Sequence, residues 1–429
     1  MATGGRYFAA VTPPRLLRSI RWPPLRIGAL EHRNFRLFII GQFISLCGSW
    51  MQTVALSWLV LELTDSTLKT GLVTTLGALP VLVLTLYGGA IADRVNKRRW
   101  LIVLQGLFLV EALALGVLAA VGAATVGWVY LLALFSGVVS AFEIPIRQAY
   151  LVEMVGKANL MSAIALNSSA FNLSRVVGPA LAGLVSASLG TAACFFVNAA
   201  SFLAVIIGLY RLDPAGMEGP VGGRRAGLRA GLTHVFSIEV TRALVGLTTV
   251  FTLFGASLIA ILPAFARKEL GAEVGGYGGL LSAFGIGAVA GALTLAAIGQ
   301  RFPRERVAVM AGVVMGASLL VLGLVHVYLV AAVALVFAGL TMALNAILTN
   351  TILQTSAPDH LRGQVVGLYS FIVIGLAPFG SAQAAWVGEQ FGPSRAILLG
   401  GVVCLLGALA VSRRLGLFPL WWTAAKEPE

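Results

Sequence analysis

Charge is scarce in this sequence. Only 11% of its 429 residues are Asp, Glu, Lys or Arg, where a soluble domain carries about 25%. So few charges cannot cover a water-facing surface, which excludes a soluble globular protein. Cysteine is nearly absent too. Cys47, Cys194 and Cys404 lie far apart, each inside an apolar run, which excludes a disulfide framework and metal-ligand spacing and leaves them as small buried side chains. Four histidines with no His/Cys/Asp cluster and no nucleophile constellation give no support to an enzyme, a metal site or a bound cofactor. No GxxxxGK[ST] run occurs, so a single-chain ATP-driven pump is unsupported. Alternating segments of about ten residues, the mark of a membrane β-barrel, are missing as well. The first 34 residues hold no apolar core before a cleavage site; Arg6, Arg15, Arg18, Arg21, Arg26 and the pairs Pro13-Pro14 and Pro23-Pro24 punctuate them. They read as a cytoplasmic, partly disordered arm that stays on the protein.

What the sequence has in abundance is apolar surface, 58% of its residues, in helix-length runs. In hydrocarbon the backbone must satisfy its own hydrogen bonds, and runs of this length do so as helices. A span needs about 20 apolar residues. That window predicts spans over 35–61, 71–91, 100–122, 126–146, 160–187 and 190–210, then 241–264, 277–299, 306–326, 328–352, 364–389 and 393–412. The expected fold is an all-α membrane protein of twelve transmembrane helices in two pseudo-symmetric six-helix bundles, 35–210 and 241–412. A Gly- and Arg-rich linker, 211–240, joins them, and a tail follows over 413–429. The halves echo each other: Gly71–Gly77 (GLVTTLG) matches Gly279–Gly285 (GLLSAFG) at an offset of 208 residues, which places Gly48 near Gly255. Internal repeats suit transport by rocking of one bundle against the other, although two apolar stretches also match by chance.

The net charge of +13 sits in short clusters between spans, the pattern of cytoplasmic loops rather than of a nucleic-acid surface. With the N-terminus inside, the outer loops hold only Lys69, Arg267, Lys268 and Arg395, Arg175 lies within a span, and 25 of the 30 basic residues face the cytoplasm. Both termini are expected there, in a multi-pass protein of the plasma membrane, here the bacterial inner membrane.

After the second span comes GGAIADRVNKRR, Gly88–Arg99. Gly89, Asp93, Arg94, Lys97 and Arg98 resemble the signature that the major facilitator superfamily carries between spans two and three. Asn96 replaces a usual glycine, a departure that left-handed backbone at Asn would tolerate. The resemblance implies a gate in which Gly89 lets two helices approach and Asp93 faces a helix N-terminus, that of the eleventh span near Gly363. A plain positive-inside loop is the simpler alternative. The first span (Gly41–Ser66) and the Arg147-containing PIRQAYLVEMV (Pro145–Val155) resemble the enterobactin-exporter and macrolide-efflux branch. In the second half Arg301, Arg304 and Arg306 occupy the matching loop, with Glu305 its only acid. Gly178-Pro179 in the fifth span resembles the family's antiporter motif and implies a helix bend, as hinge, seal or mere kink.

Ionisable groups inside spans cost roughly 2.5–3.5 kcal/mol and mark function by default. Glu111 near the middle of the third span is the candidate proton carrier, since ionising a carboxyl there is expensive enough for it to take up and release a proton. The alternative is a structural acid paired with Arg175 or hydrogen-bonded when neutral. Glu143, by resemblance, belongs to the gate as a partner of Lys97 or Arg98, with Arg147 adjacent. The resemblance also implies a substrate cavity between spans one, four, seven and ten, where Gln42, Ser45, Gln52, Ser136, Ser140, Thr248, Thr252, Asn345 and Asn350 are the polar candidates. Such side chains also stitch helices together. The expected activity is proton-coupled export of a lipophilic drug or siderophore-like small molecule by alternating access. A lipid flippase or membrane sensor is the competing reading. Expected partners are the substrate, protons and the bilayer, with no nucleic acid, no cofactor and a monomeric chain.

Overall fold

The computed structural model describes residues 28–92, 94–213, 228–298, 302–358 and 361–417. Among these residues all regular structure is helical, and twelve helices are long and apolar enough to cross a membrane. They are α1 Arg33–Thr64, α2 Thr67–Ala92, α3 Lys97–Ala120, α4 Val126–Gly156, α5 Asn159–Leu189 and α6 Thr191–Tyr210. The second set is α7 Glu239–Lys268, α8 Val274–Ile298, α9 Arg304–Leu324, α10 Tyr328–Ser356, α11 Gly363–Phe391 and α12 Pro393–Arg414. Val110, Leu184, Leu293, Leu329 and Leu406 are exposed on these helices; in a multi-pass membrane protein such side chains meet lipid, which satisfies them as water would not. Most of the expected linker, 214–227, lies outside the described residues, and Leu228–Ser237 within it is a short helix.

Chain direction breaks where local chemistry allows it. Between α4 and α5 the backbone leaves helical geometry at Gly156 (φ 66°, ψ 175°), a conformation open to glycine at little cost. Gly178 and Pro179, expected to bend the fifth span, keep helical dihedrals; within 126–189 the break is at Gly156. Gly178 is a packing position, as expected of a glycine that lets a neighbouring helix approach, because a side chain there would run into Trp50 and the Cys47 carbonyl of α1. In the second half α7 and α11 each contain one wide π-turn, Phe251–Gly255 and Phe371–Gly375.

Packing between the halves is uneven along their length. One apolar cluster joins both halves at the end away from the termini, bringing Val54, Leu61 and Val73 together with Ile261, Leu262, Leu280 and Ala385. At the terminal end the clusters stay within a half: Phe35, Leu101, Ile146 and Tyr150 in the first, and separate groups around Leu244 and around Val365 in the second. Two seams of small residues carry the contact. In one, α5 meets α8, where Gly278 lies against the Pro179 carbonyl and Ser282 Oγ donates to Val176 O at 2.9 Å. In the other, α2 meets α11, where Gly71 lies against Ala385 and Thr75 Oγ1 donates to Pro378 O at 3.4 Å. Each half thus offers its second helix to the fifth of the other.

Charges close the distal end. Helix α1 ends with Asp65 in left-handed backbone (φ 48°), where its unpaired carbonyls carry partial negative charge. Arg267 Nη1 donates to Leu61 O at 3.2 Å and Lys268 Nζ to Asp65 O at 2.7 Å, both from the end of α7. The partly positive start of α2 receives the opposite charge: Glu389 of α11 accepts from Ser66 Oγ at 2.9 Å and Leu68 N at 3.2 Å.

Candidate functional site

Two helices of the first half carry polar stripes at helical spacing. On α1 these are Gln42, Ser45, Ser49 and Gln52, and on α4 Ser136, Ser140, Glu143 and Arg147, intervals of three and four that place each set on one face. Both stripes line a cavity of ≈ 340 Å³ that α2, α3 and α6 complete with Thr74, Gln105, Glu111 and Asn198. Oε1 of Gln42 and of Gln105, residues 4% and 3% exposed, have no hydrogen-bond partner among the described residues. Both oxygens are sealed from solvent, so they are unsatisfied acceptors within the wall.

Glu111 is buried, 1% exposed, and faces this cavity. Its partner is Gln52, whose Nε2 lies 3.0 Å from both carboxyl oxygens, while Asn198 Nδ2 donates to Gln52 Oε1 at 2.7 Å. The expected alternative, pairing with Arg175, is not made. The Arg175 guanidinium sits 5.5 Å from the ring centres of both Trp50 and Phe284, a cation held between two aromatic faces, one from each half.

The gate residues also differ from expectation in their partners. Glu143 pairs neither with Lys97 nor with Arg98; its Oε1 accepts from Arg147 Nε at 2.8 Å, one turn along α4. Lys97 Nζ meets Glu153 Oε1 at 2.7 Å, and Arg98 caps the end of α6 through Leu209 O and Tyr210 O at 2.7 and 2.8 Å. Those carbonyls are the negative end of a helix, which a guanidinium satisfies. The close-approach glycine is Gly88, where a side chain would strike the Ala141 carbonyl; Gly89, one position on, faces open space. Asn96 is not left-handed but extended (φ −69°, ψ 101°), and its side chain accepts from Arg99 N to cap α3. Arg94 is exposed, and Asp93 lies outside the described residues.

Four of the expected substrate residues are elsewhere. Thr248 Oγ1 lies 3.1 Å from Asn345 Oδ1 and from Thr349 Oγ1, Thr252 Oγ1 donates to Thr248 O at 3.0 Å, and Asn350 Oδ1 accepts from Gln354. None of the four lines the cavity, which takes no residue from α7 or α10; Thr248 and Asn345 tie α7 to α10, while Thr252 and Asn350 join one turn to the next within α7 and α10. Gln42, Ser45, Gln52, Ser136 and Ser140 do line it, with Glu143 and Arg147 from the expected gate. Sequence reasoning passed over Ser49, Gln105 and Asn198. Ser49 was legible from the spacing of its stripe, whereas Gln105 and Asn198 are single amides in apolar runs.

This arrangement matches known transporters in sequence and fold. The pattern of the transmembrane secretion effector family matches residues 21–423. The multidrug efflux pump Tap of Mycolicibacterium fortuitum is 29% identical over 388 residues, covering 87% of this chain and 94% of its own. Enterobactin exporter EntS of Escherichia coli O1:K1 is 26% identical over 396 residues, 89% of this chain and 93% of the relative. The staphyloferrin A transporter of Staphylococcus aureus is 23% identical over 375 residues, 86% and 94% of the two chains. Among solved structures, a bacterial homologue of the lysosomal transporter Spinster superposes with a TM-score of 0.69 at 15% identity, covering 91% of this chain and 98% of its own. A D-xylose-proton symporter gives 0.67 at 14%, covering 87% and 97%. With the family pattern spanning nearly the whole chain, the protein belongs to the transmembrane secretion effector family of the major facilitator superfamily and is a secondary transporter, not an enzyme.

Proposed function

We propose that the chain exports an amphipathic small molecule, drug-like or siderophore-like, in exchange for protons, and that Glu111 carries the coupling proton. The observation that carries this reading is a buried carboxyl on the wall of a polar cavity, hydrogen-bonded to Gln52 of α1 and without an ion-pair partner among the described residues. Such a group is costly to ionise in the membrane and exchanges a proton with the water or substrate that enters the cavity. The amides and hydroxyls of the lining take a polar head, and the apolar part of the wall takes a lipophilic body. The relatives' export of drugs and of siderophores supports the same class. Glu143 and Arg147, with Arg94, Lys97 and Arg98 beyond them, form the inner side of the path, and by the sequence motif Asp93 belongs to the same gate.

The basic-residue bias supports cytoplasmic termini in the bacterial inner membrane, which makes the joined distal end the outer one and the arrangement inward-open. The transporter works as a monomer. With Cys47, Cys194 and Cys404 replaced, a cysteine at Gly222 should react with an impermeant thiol reagent only after cells are opened; reaction in intact cells reverses the orientation. Everted vesicles screened with fluorescent dyes and ferric-chelator siderophores test the activity. Glu111→Gln, which keeps size and neutrality, should abolish gradient-driven accumulation and leave substrate counterflow intact. Accumulation by Glu111→Gln at the parental rate moves the proton site elsewhere, with Glu143 next.

A further inference from the structure

Four side chains from three helices form a hydrogen-bond chain that runs in one direction. Ser201 Oγ on α6 lies 2.7 Å from Asn198 O and 3.0 Å from Asn198 Oδ1, and donates toward them. Asn198 Nδ2 donates to Gln52 Oε1 on α1 at 2.7 Å, and Gln52 Nε2 donates to the two oxygens of Glu111 on α3 at 3.0 Å each. Asn198 is 1% exposed, Ser201 6% and Gln52 8%. Gly48, one turn before Gln52, makes the space, because a side chain there would meet both Asn198 Oδ1 and Ser201 Oγ.

An amide offers an acceptor on one side and donors on the other. With Oε1 taken by Asn198, Gln52 has only its NH₂ left to turn toward Glu111. We infer that Asn198, oriented by Ser201 and seated against Gly48, is a positioning residue for the proton site: it locks the Gln52 amide donor-first toward Glu111 and so sets the pH at which that carboxyl exchanges its proton. The inference rests on Glu111 as the coupling group. A donor facing a carboxyl favours the carboxylate, and a freely turning amide favours it less. Without Asn198, therefore, Glu111 keeps its proton to higher pH than in the parent.

No other charged group fixed nearby gives the same effect. On α4, Glu143 and Arg147 line the same cavity but engage each other at 2.8 Å. On α5, Arg175 is held over Trp50 and Phe284. On α6, Cys194 lies against Ser186 Oγ at 3.1 Å, and Cys47 on α1 is buried. On α2, the cavity residues Val73, Thr74 and Gly77 do not titrate.

Infrared titration of the full-length protein in proteoliposomes reads the Glu111 carboxyl directly, as the band lost in Glu111→Gln, and needs no substrate. Asn198→Leu should move its midpoint about one pH unit alkaline, the equivalent of one hydrogen bond to a charged group. Ser201→Ala should move it the same way by less, and this smaller change carries the test if Asn198→Leu fails to fold. In a Gln52→Leu background Asn198→Leu should add no further shift, because it acts through Gln52. An unchanged midpoint in folded Asn198→Leu, or an equal shift with and without Gln52, overturns the inference; absence of any Glu111-dependent band overturns it together with the proton site. If the midpoint moves as expected while Glu111→Gln still pumps at the parental rate, the positioning stands and the coupling role of Glu111 falls.

Discussion

Replacing Arg267, Lys268 and Glu389 each by Gln removes the charges that join the two halves at the distal end while keeping side chains of similar length. Each sits at a helix terminus of the opposite half: the cations at the end of α1, the anion at the start of α2. A charge matched to an exposed helix end contributes about 0.3–1 kcal/mol, so three together contribute roughly 2 kcal/mol. The Lys268–Asp65 ion pair, at 3.8 Å with Asp65 70% exposed, adds little of its own. Losing about 2 kcal/mol on one side of a two-state equilibrium shifts the ratio roughly 30-fold toward the state with the distal end open. Spin labels at Val121 and Leu324, exposed at the distal ends of α3 and α9, report this separation by pulsed dipolar spectroscopy. The triple variant should gain a population at longer distance, and high salt should produce part of the same change in the parent, since exposed charges are screened beyond about 8 Å at physiological ionic strength.

A charge swap separates this clasp from an ordinary salt bridge. Glu389→Lys with Lys268→Glu restores a complementary pair, but the dipoles of α1 and α2 keep their signs, so each new charge faces a helix end of its own polarity. The swap should open the distal end at least as far as the Gln variants do. Recovery of the parental distance distribution in the swap, or no change in the triple variant, refutes the helix-end reasoning.

Gly88→Ala should lower the melting temperature and cost about 1–3 kcal/mol by forcing α2 from the Ala141 carbonyl, whereas Gly89→Ala should be neutral; equal effects in detergent melts contradict the packing. A double-mutant cycle of Glu111→Gln and Arg175→Met should give a coupling under about 0.5 kcal/mol, since the two share no partner, and a larger value restores their pairing. Lys97→Met should destabilise by about 1–2 kcal/mol by leaving the half-buried Glu153 without its partner; Glu153→Gln added to it should recover most of the loss, and no recovery excludes the pair as its origin.

The twelve spans were legible because hydrocarbon leaves the backbone little choice, and the polar stripes of α1 and α4 because helical spacing survives in sequence. Partners were not legible. Glu143 and Glu153 stand about 15 Å apart along α4, and which of them is level with Lys97 depends on how far α4 is shifted along its axis, which the sequence does not record; the structure puts Glu153 there. Gly88 and Gly89 differ by one residue, about 100° around the helix, which is the difference between a packed carbonyl and open space. Asn198 escaped notice because one amide in an apolar run reads the same whether it stitches two helices or orients a carboxyl. Family resemblance implies a substrate cavity between four helices of both halves, whereas the polar cavity that Glu111 faces is lined by the first half.

That one-sidedness bears on how the two halves divide the work. The internal repeat sets Gly48 of α1 near Gly255 of α7, and both glycines make room for side chains of neighbouring helices. At Gly48 the neighbours are Asn198 and Ser201, the start of the chain that ends on Glu111; at Gly255 they are Met315 and Cys404. The same slot therefore holds a polar chain in the first half and two sulfur side chains in the second, where Met315 Sδ only accepts from Thr341 Oγ1 at 3.5 Å. At the repeat offset from Gln52 and Glu111 stand Ala260 and Leu319, both buried and apolar. A half without ionisable groups at these positions pays no charging penalty as its surroundings change, so it can move as a body against the half that holds Glu111. Contacts that cross between them include the distal apolar cluster, the small-residue seams, the Arg175 guanidinium between Trp50 and Phe284, and the distal clasp. Arg175 touches α1 and α8 at once, beside the seam in which Val176 of the same helix accepts from Ser282. Glu111 and Gln52 line the cavity and Arg175 does not, so the cation that joins the halves and the carboxyl that faces the cavity have separate partners, which is why their coupling should be small.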